Sequence, residues 1–251
     1  MHHLEHKMNK QRLFYLGILH VLIIILIVSC SKEGDKKMQK KEISIDSVLE
    51  KIHWLGHAAV KINGTKTIYV DPYELSDDAE KADIIMITHN HYDHLSVEDI
   101  KKIATERTVI VIPASLLVSL EYSVNKVDIG QTIIVMGIPI KAVPAYNIVK
   151  SFHPRSQGYV GYVFTLDDVT YYHAGDTDHI PEMRAVDADV VFLPVGGTYT
   201  MGAAQAAEAA KDIDPTLAVP IHWGSIVGSE ADAEKFKGLC ECEVRILEKE
   251  H

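Results

Sequence analysis

Apolar residues along this chain come in short runs separated by polar turn formers. Residues 52–55, 58–62 and 67–70 are such runs, parted by Gly56-His57 and Asn63-Gly64. Asn-Gly between two β-branched runs is a strong hairpin signal, so antiparallel strands are expected to open the domain. Residues 84–87, Ile-Ile-Met-Ile, are apolar without alternation and read as a strand buried on both faces. The period then changes. Ser96 is a good N-cap with Asp99 three residues on, and Val97, Ile100 and Ile103 mark one face of a helix over 97–105. A strand is expected at 109–112, a helix at 114–122, and a hairpin of 132–136 with 138–143 around Gly137.

The second half repeats this order. Residues 159–166 and 169–172 read as a hairpin about Asp167-Asp168, 190–193 as a short buried strand, and 203–211 as an Ala-rich helix capped by Thr200. A strand at 217–219, a helix at 231–236 capped by Ser229 and a strand at 244–247 complete the chain. Each half has hairpins first, then alternating strands and helices. That predicts an α/β protein of the α+β sandwich kind. Two mixed sheets face each other, helices lie outside, and strand ends deliver polar residues to a site along one edge.

Composition narrows this picture. The chain has 251 residues and 47% hydrophobic content, enough for one sizeable core. A formal net charge of −10 argues against nucleic acid and against broad binding to an anionic membrane surface. The cysteines, Cys30, Cys240 and Cys242, form no C-x-x-C pair, so a thiolate zinc site or redox motif is not expected. Cys240 and Cys242 are expected as free, mostly buried thiols on a strand.

The N-terminus reads as an address. Lys7, Lys10 and Arg12 precede an apolar run over 13–28 that ends Ile27-Val28-Ser29-Cys30. Charge, then an apolar segment, then small residues are the marks of a secretory signal. The ending resembles a bacterial lipobox, which implies an exported lipoprotein anchored to the envelope membrane through Cys30. An uncleaved anchor is the alternative, disfavoured by the short run and by His20 within it. Residues 31–41 are polar and lysine-rich and read as a tether. The chain thus divides into a signal over 1–29, a lipidated Cys30 with tether over 30–45, and a domain over 46–251.

Candidate chemistry begins where the 84–87 strand ends, in Thr88-His89-Asn90-His91-Tyr92-Asp93-His94. Side chains at i, i+2 and i+4 of an extended segment point the same way. His89, His91 and Asp93 could then converge on one point while His94 turns to a second. Imidazole and carboxylate suit a borderline cation such as Zn²⁺, and two diverging faces suggest two metals. Other candidates sit at strand ends and in loops. Asp71 either orients a ligand imidazole or caps the turn before Pro72. His57 either lines the site mouth or is simply a turn residue. His153 stands alone in a polar loop between Lys150 and Arg155, which either hold an anionic substrate group or are plain solvated charges. Asp176, after Gly175, has two oxygens that could bridge two cations. His173 and His179 flank it as supporting or surface residues, and His222 follows a strand.

The order His89-x-His91-x-Asp93-His94, His153, Asp176, His222 resembles the metallo-β-lactamase superfamily of metal-dependent hydrolases. Trp54-Leu55-Gly56-His57, Val70-Asp71-Pro72-Tyr73, Tyr172-His173-Ala174-Gly175-Asp176-Thr177 and Pro194-Val195-Gly196-Gly197 resemble one bacterial branch of it. That branch lies near the L-ascorbate-6-phosphate lactonases and the N-acyl-phosphatidylethanolamine phospholipases D. The resemblance implies a four-layer αββα fold over about residues 50–247. It also implies a first metal on His89, His91 and His153, a second on Asp93, His94 and His222, and a bridging Asp176. The metals would be Zn²⁺, with Mn²⁺ as the alternative. A hydroxide held between them would attack a carbonyl or phosphorus centre, and Asp93 could pass a proton to the leaving group. The expectation is a hydrolase of an ester, lactone or phosphodiester bond in a small-molecule substrate. A β-lactamase and a non-catalytic metal-binding lipoprotein are the alternatives.

Overall fold

The computed structural model describes residues 43–250. The expected signal, Cys30 and residues 31–42 of the tether lie outside the described residues. The described chain starts against the core, with Ile43 and Ile45 partly buried on it and a short helix α1 (Ile45–Leu49).

The first sheet has six strands in chain order: β1 (Ile52–Gly56), β2 (Ala59–Asn63), β3 (Thr67–Val70), β4 (Ile84–Met86), β5 (Val109–Pro113) and β6 (Ser123–Val127). β1 to β3 form the antiparallel meander that the Asn63-Gly64 turn predicts, and β3 to β6 are parallel. Between β4 and β5 the chain crosses over through helix α2 (Val97–Ile103). Burial on both faces follows the pleat. Ile84 and Met86 of β4 point into the core between the sheets, while Ile85 and Ile87 join Ile110, Ile112, Ile100 and Ile103 in a second cluster under α2.

The second sheet has seven strands: β7 (Thr132–Val135), β8 (Ile138–Pro144), β9 (Val160–Leu166), β10 (Val169–His173), β11 (Val190–Pro194), β12 (Leu217–Ile221) and β13 (Glu243–Val244). β7 to β10 are antiparallel and β10 to β13 parallel. Helices α3 (Ala203–Ile213) and α4 (Glu230–Leu239) cover its outer face. The hairpins turn at Met136-Gly137 and Asp167-Asp168, all four residues at positive φ, as tight hairpin turns require. The result is the expected α+β sandwich, with layers in the order α2, first sheet, second sheet, α3 with α4.

Four local expectations fail. Residues 114–122 are not helical. Leu116, Val118, Leu120 and Tyr122, two apart, pack on the second cluster in irregular chain while Leu117 stands 99% exposed. A run with that much alternation is no helical face, and it leads into β6, whose polar sequence hid it. Thr200 is buried and does not cap α3; the cap is Gly202, whose amide is accepted by Gln205 Oε1 at 3.2 Å. The expected strand over 244–247 shortens to Glu243–Val244. Cys240 and Cys242 therefore sit in the turn after α4 rather than on a strand. They are half-buried free thiols with sulfurs 3.0 Å apart.

Candidate metal centre

Six strands of the two sheets end at one edge, and each hands over a polar side chain there. His57 follows β1, Asp71 follows β3, the histidine-rich segment follows β4, His153 lies in the loop after β8, Asp176 follows β10 and His222 follows β12. His57, Asp71 and His222 adopt left-handed backbone, at φ 48°, 49° and 60°. For residues other than glycine this conformation costs about 1 kcal/mol or more, a strain typical of functional sites. Gly175 lets the Asp176 strand end approach β4: a Cβ there would lie 3.0 Å from Thr88 Cβ and from the Val160 carbonyl oxygen.

The segment after β4 does not stay extended. The His94 and Leu95 amides both donate to the His91 carbonyl, at 3.0 and 2.9 Å, so the chain turns at His91. Asp93 is thereby carried to the side of His94 rather than to that of His89 and His91, which corrects the pattern expected from period two. Two clusters form. In one, His89 Nε2 and His153 Nε2 lie 3.1 and 3.2 Å from His91 Nδ1. In the other, His57, Asp93, His94 and His222 bring ligand atoms within 4.8 Å of one another.

Asp176 stands between them. Its Oδ2 lies 3.2 Å from His153 Nε2 and 3.1 Å from His222 Nε2, and its Oδ1 lies 3.4 Å from His94 Nε2. Asp71 also lies beside one ring of each group, with ligand atoms of Asp71, His89 and His94 within 4.8 Å of one another.

Hydrogen bonds on the far side of the rings fix which nitrogen faces inward. The Thr88 hydroxyl donates to Asp71 Oδ2 at 2.6 Å, so its oxygen is left to accept from His89 Nδ1 at 2.9 Å. His94 Nδ1 donates to Asp71 Oδ2 at 2.8 Å, and His153 Nδ1 to Asn147 Oδ1 at 3.2 Å. In their neutral form all three rings therefore aim a lone pair on Nε2 into the site. Asp71 takes the orienting role rather than that of a simple turn cap. Asn147, which sequence reasoning missed, is buried and also accepts the His153 amide at 3.0 Å. Its signal lay in the sequence only as an amide six residues before a lone histidine.

Electrostatics match cation binding. Burial, with the neighbouring His94, holds His89 well below the usual imidazole range, in the neutral form that ligates metals. Burial also pushes His94 down, but the Asp176 and Asp71 carboxylates outweigh it and hold it well above that range. Burial raises Asp176, yet His222 and His94 overcome this and keep its carboxyl well below the ordinary value. The centre thus draws positive charge to itself. Its donor atoms are also unspent. Among the described residues, seven buried side-chain nitrogens and oxygens have no hydrogen-bond partner, and five belong here: His57 Nδ1, His94 Nε2, Asp176 Oδ1 and both nitrogens of His222. Leaving such atoms bare costs about 1–3 kcal/mol each, which divalent cations would relieve. The residues present fit metal ions.

The remaining expectations sort as follows. His57 does sit in a turn, but it is 1% exposed and its Nε2 donates to Asp93 Oδ2 at 2.9 Å, within the second cluster. Its positive φ after Gly56 is legible only in the fold. Lys150 and Arg155 both pair with carboxylates of this chain, Lys150 partly buried and Arg155 largely exposed. Lys150 Nζ donates to Asp178 Oδ1 at 2.7 Å and to the Thr200 carbonyl at 2.8 Å. Arg155 pairs with Glu182 at 3.0 Å over the Tyr146 ring. His173 is buried, with Nε2 donating to the Ala58 carbonyl and Nδ1 accepting the Gly175 amide; His179 pairs with Asp212.

Known proteins are similar to this chain in sequence and fold. The family described as "Beta-lactamase superfamily domain" matches residues 51–222. The UPF0173 metal-dependent hydrolase of Thermoplasma acidophilum is 36% identical over 205 residues, covering 75% of this chain and 90% of that protein. Its counterpart from Pyrococcus horikoshii is 34% identical over 216 residues, covering 78% and 96%. A crystal structure of a Parabacteroides distasonis protein, put forward as a metal-dependent hydrolase, aligns with a TM-score of 0.67 and 32% identity, over 79% of this chain and 93% of that one.

Proposed function

The chain belongs to the beta-lactamase superfamily and, within it, to the UPF0173 metal-dependent hydrolases, and from that premise we propose that it hydrolyses an ester, lactone or phosphodiester bond at a centre of two divalent ions. The observation that carries this reading is Asp176 set between two imidazole clusters, one of which keeps buried ring nitrogens without hydrogen-bond partners. His89, His91 and His153 would hold one ion, and Asp93, His94 and His222 the other, with Asp176 shared. Zn²⁺ suits these donors best and Mn²⁺ is the alternative. When bound, such ions polarise the substrate oxygen and lower the pKa of a water toward neutrality.

The chain's own residues do the rest. Asp71, Thr88 and Asn147 hold three imidazoles in the tautomer that offers Nε2. Asp93 opens onto the cavity in front of the centre while His57 donates to it from behind. Its carboxylate is placed to take a proton from the attacking water and return it to the leaving group. No serine or cysteine nucleophile is needed.

Elemental mass spectrometry of the purified chain tests the reading. About two equivalents of metal, followed by turnover in a panel of esters, lactones, phosphodiesters and nitrocefin, is the expected outcome. Folded protein that is metal-free and unmoved by added Zn²⁺ or Mn²⁺ would overturn it. Export and anchoring through Cys30 are a separate proposal, supported by residues 7–30 of the sequence alone. Metabolic labelling with palmitate, lost in Cys30→Ser, is its test.

A further inference from the structure

The cavity in front of the centre is small, about 240 Å³, and has two unlike walls. One wall is the centre itself: His91, Asp93, His153 and Asp176. The other is made of Tyr92, Phe152, Tyr199 and Ile226. Phe152 and Tyr199 meet edge to face, ring centres 4.7 Å apart at 89°. The Tyr199 carbonyl accepts Asn147 Nδ2 at 2.9 Å, so the residue that orients His153 also fixes this wall against it. Tyr92, Phe152 and Ile226 remain 67%, 47% and 37% exposed. Apolar side chains grouped in the open around a reactive centre mark a binding surface.

Charge points the same way. No lysine or arginine lines this cavity among the described residues. Lys150 and Arg155, nearest in sequence to His153, are already paired with Asp178 and Glu182. A carboxylate or phosphate on the substrate, apart from the bond being cut, would find no lysine or arginine to pair with on this wall. A wider groove of about 550 Å³ beside Trp54 and Trp223 shares only His57 with the centre, and so does not hold the reacting bond.

We propose that the substrate presents an uncharged apolar group, aryl or alkyl, to the Phe152–Tyr199 wall beside the scissile bond, and that Phe152, Tyr199 and Ile226 select it. The proposal rests on the metal-centre reading above. Three hydroxamates separate the two. Benzohydroxamate, acetohydroxamate and succinate monohydroxamate carry one metal-binding head and an aryl, methyl or carboxylate tail. Calorimetric titration into the Zn²⁺-loaded full chain should rank aryl first, about tenfold tighter than methyl (~1.4 kcal/mol), with carboxylate weakest. Phe152→Ser should erase most of the aryl preference while elemental analysis shows unchanged metal content. Tyr199→Ser serves if that variant does not fold, and the wild-type ranking decides on its own. Equal binding of the three, or tightest binding of the carboxylate, to protein with its metal in place overturns the apolar group and leaves the centre standing. Binding of none of them by metal-loaded protein overturns the centre, and the proposal with it.

Discussion

The two histidine clusters lie side by side and are built on different principles. His89, His91 and His153 face one another at 3.1–3.2 Å and are braced from behind by the neutral groups of Thr88 and Asn147. His57, Asp93, His94 and His222 are braced by a buried carboxylate, Asp71, and keep four unpartnered ring nitrogens. The first group leaves few donor atoms bare and includes His91 at the cavity. The second is the more deeply committed to holding a cation, because leaving it empty strands buried polar atoms. Asp176 touches both, through His153 and through His222.

The largest effect should come from removing that shared contact. Asp176→Asn is expected to lower metal content at both clusters and cut kcat/KM by about 10³-fold or more. Full activity with both metals retained would end its bridging role. Next, single ligand variants should split the pair. His91→Ala and His222→Ala should each lose about one equivalent by elemental analysis, from opposite clusters. Identical loss of both metals in each variant would mean that the site fills as a unit.

The difference in bracing predicts a further contrast. Asp71→Asn should weaken metal binding about 10–100-fold, through His94, and Asn147→Ala by the lower end of that range, through His153. Competition with a chromophoric chelator measures both. Chelation of wild-type metal should lower the melting temperature, since ligand at 100 times its Kd stabilises by about 2.7 kcal/mol. The smallest effect belongs to a residue outside both clusters. Arg155→Ala removes an exposed ion pair worth about 0–1 kcal/mol and should change kcat/KM less than about twofold on an apolar ester.

Sequence by itself determined much of this protein. Short alternating runs and the Asn63-Gly64 and Asp167-Asp168 turns set most strands, because period and turn chemistry are local. The candidate ligands after β4 were legible for the same reason: three histidines and an aspartate within eight residues of a strand end have few other uses. His153, Asp176 and His222 were legible only through their order along the chain. Tertiary structure alone decided the rest. The turn at His91 that moves Asp93 to the second cluster is made by backbone hydrogen bonds, which no side-chain spacing records. The burial of His57 depends on left-handed backbone after Gly56 and on β12 bringing His222 against it, with the His222 amide donating to the His57 carbonyl at 2.7 Å. The irregular 114–122 segment packs on the cluster under α2 instead of forming a helix, and Lys150 and Arg155 were neutralised by Asp178 and Glu182, 28 and 27 residues further along. Periodicity reports what a residue prefers locally. Partners distant in sequence settle its charge, its burial and the direction in which it points.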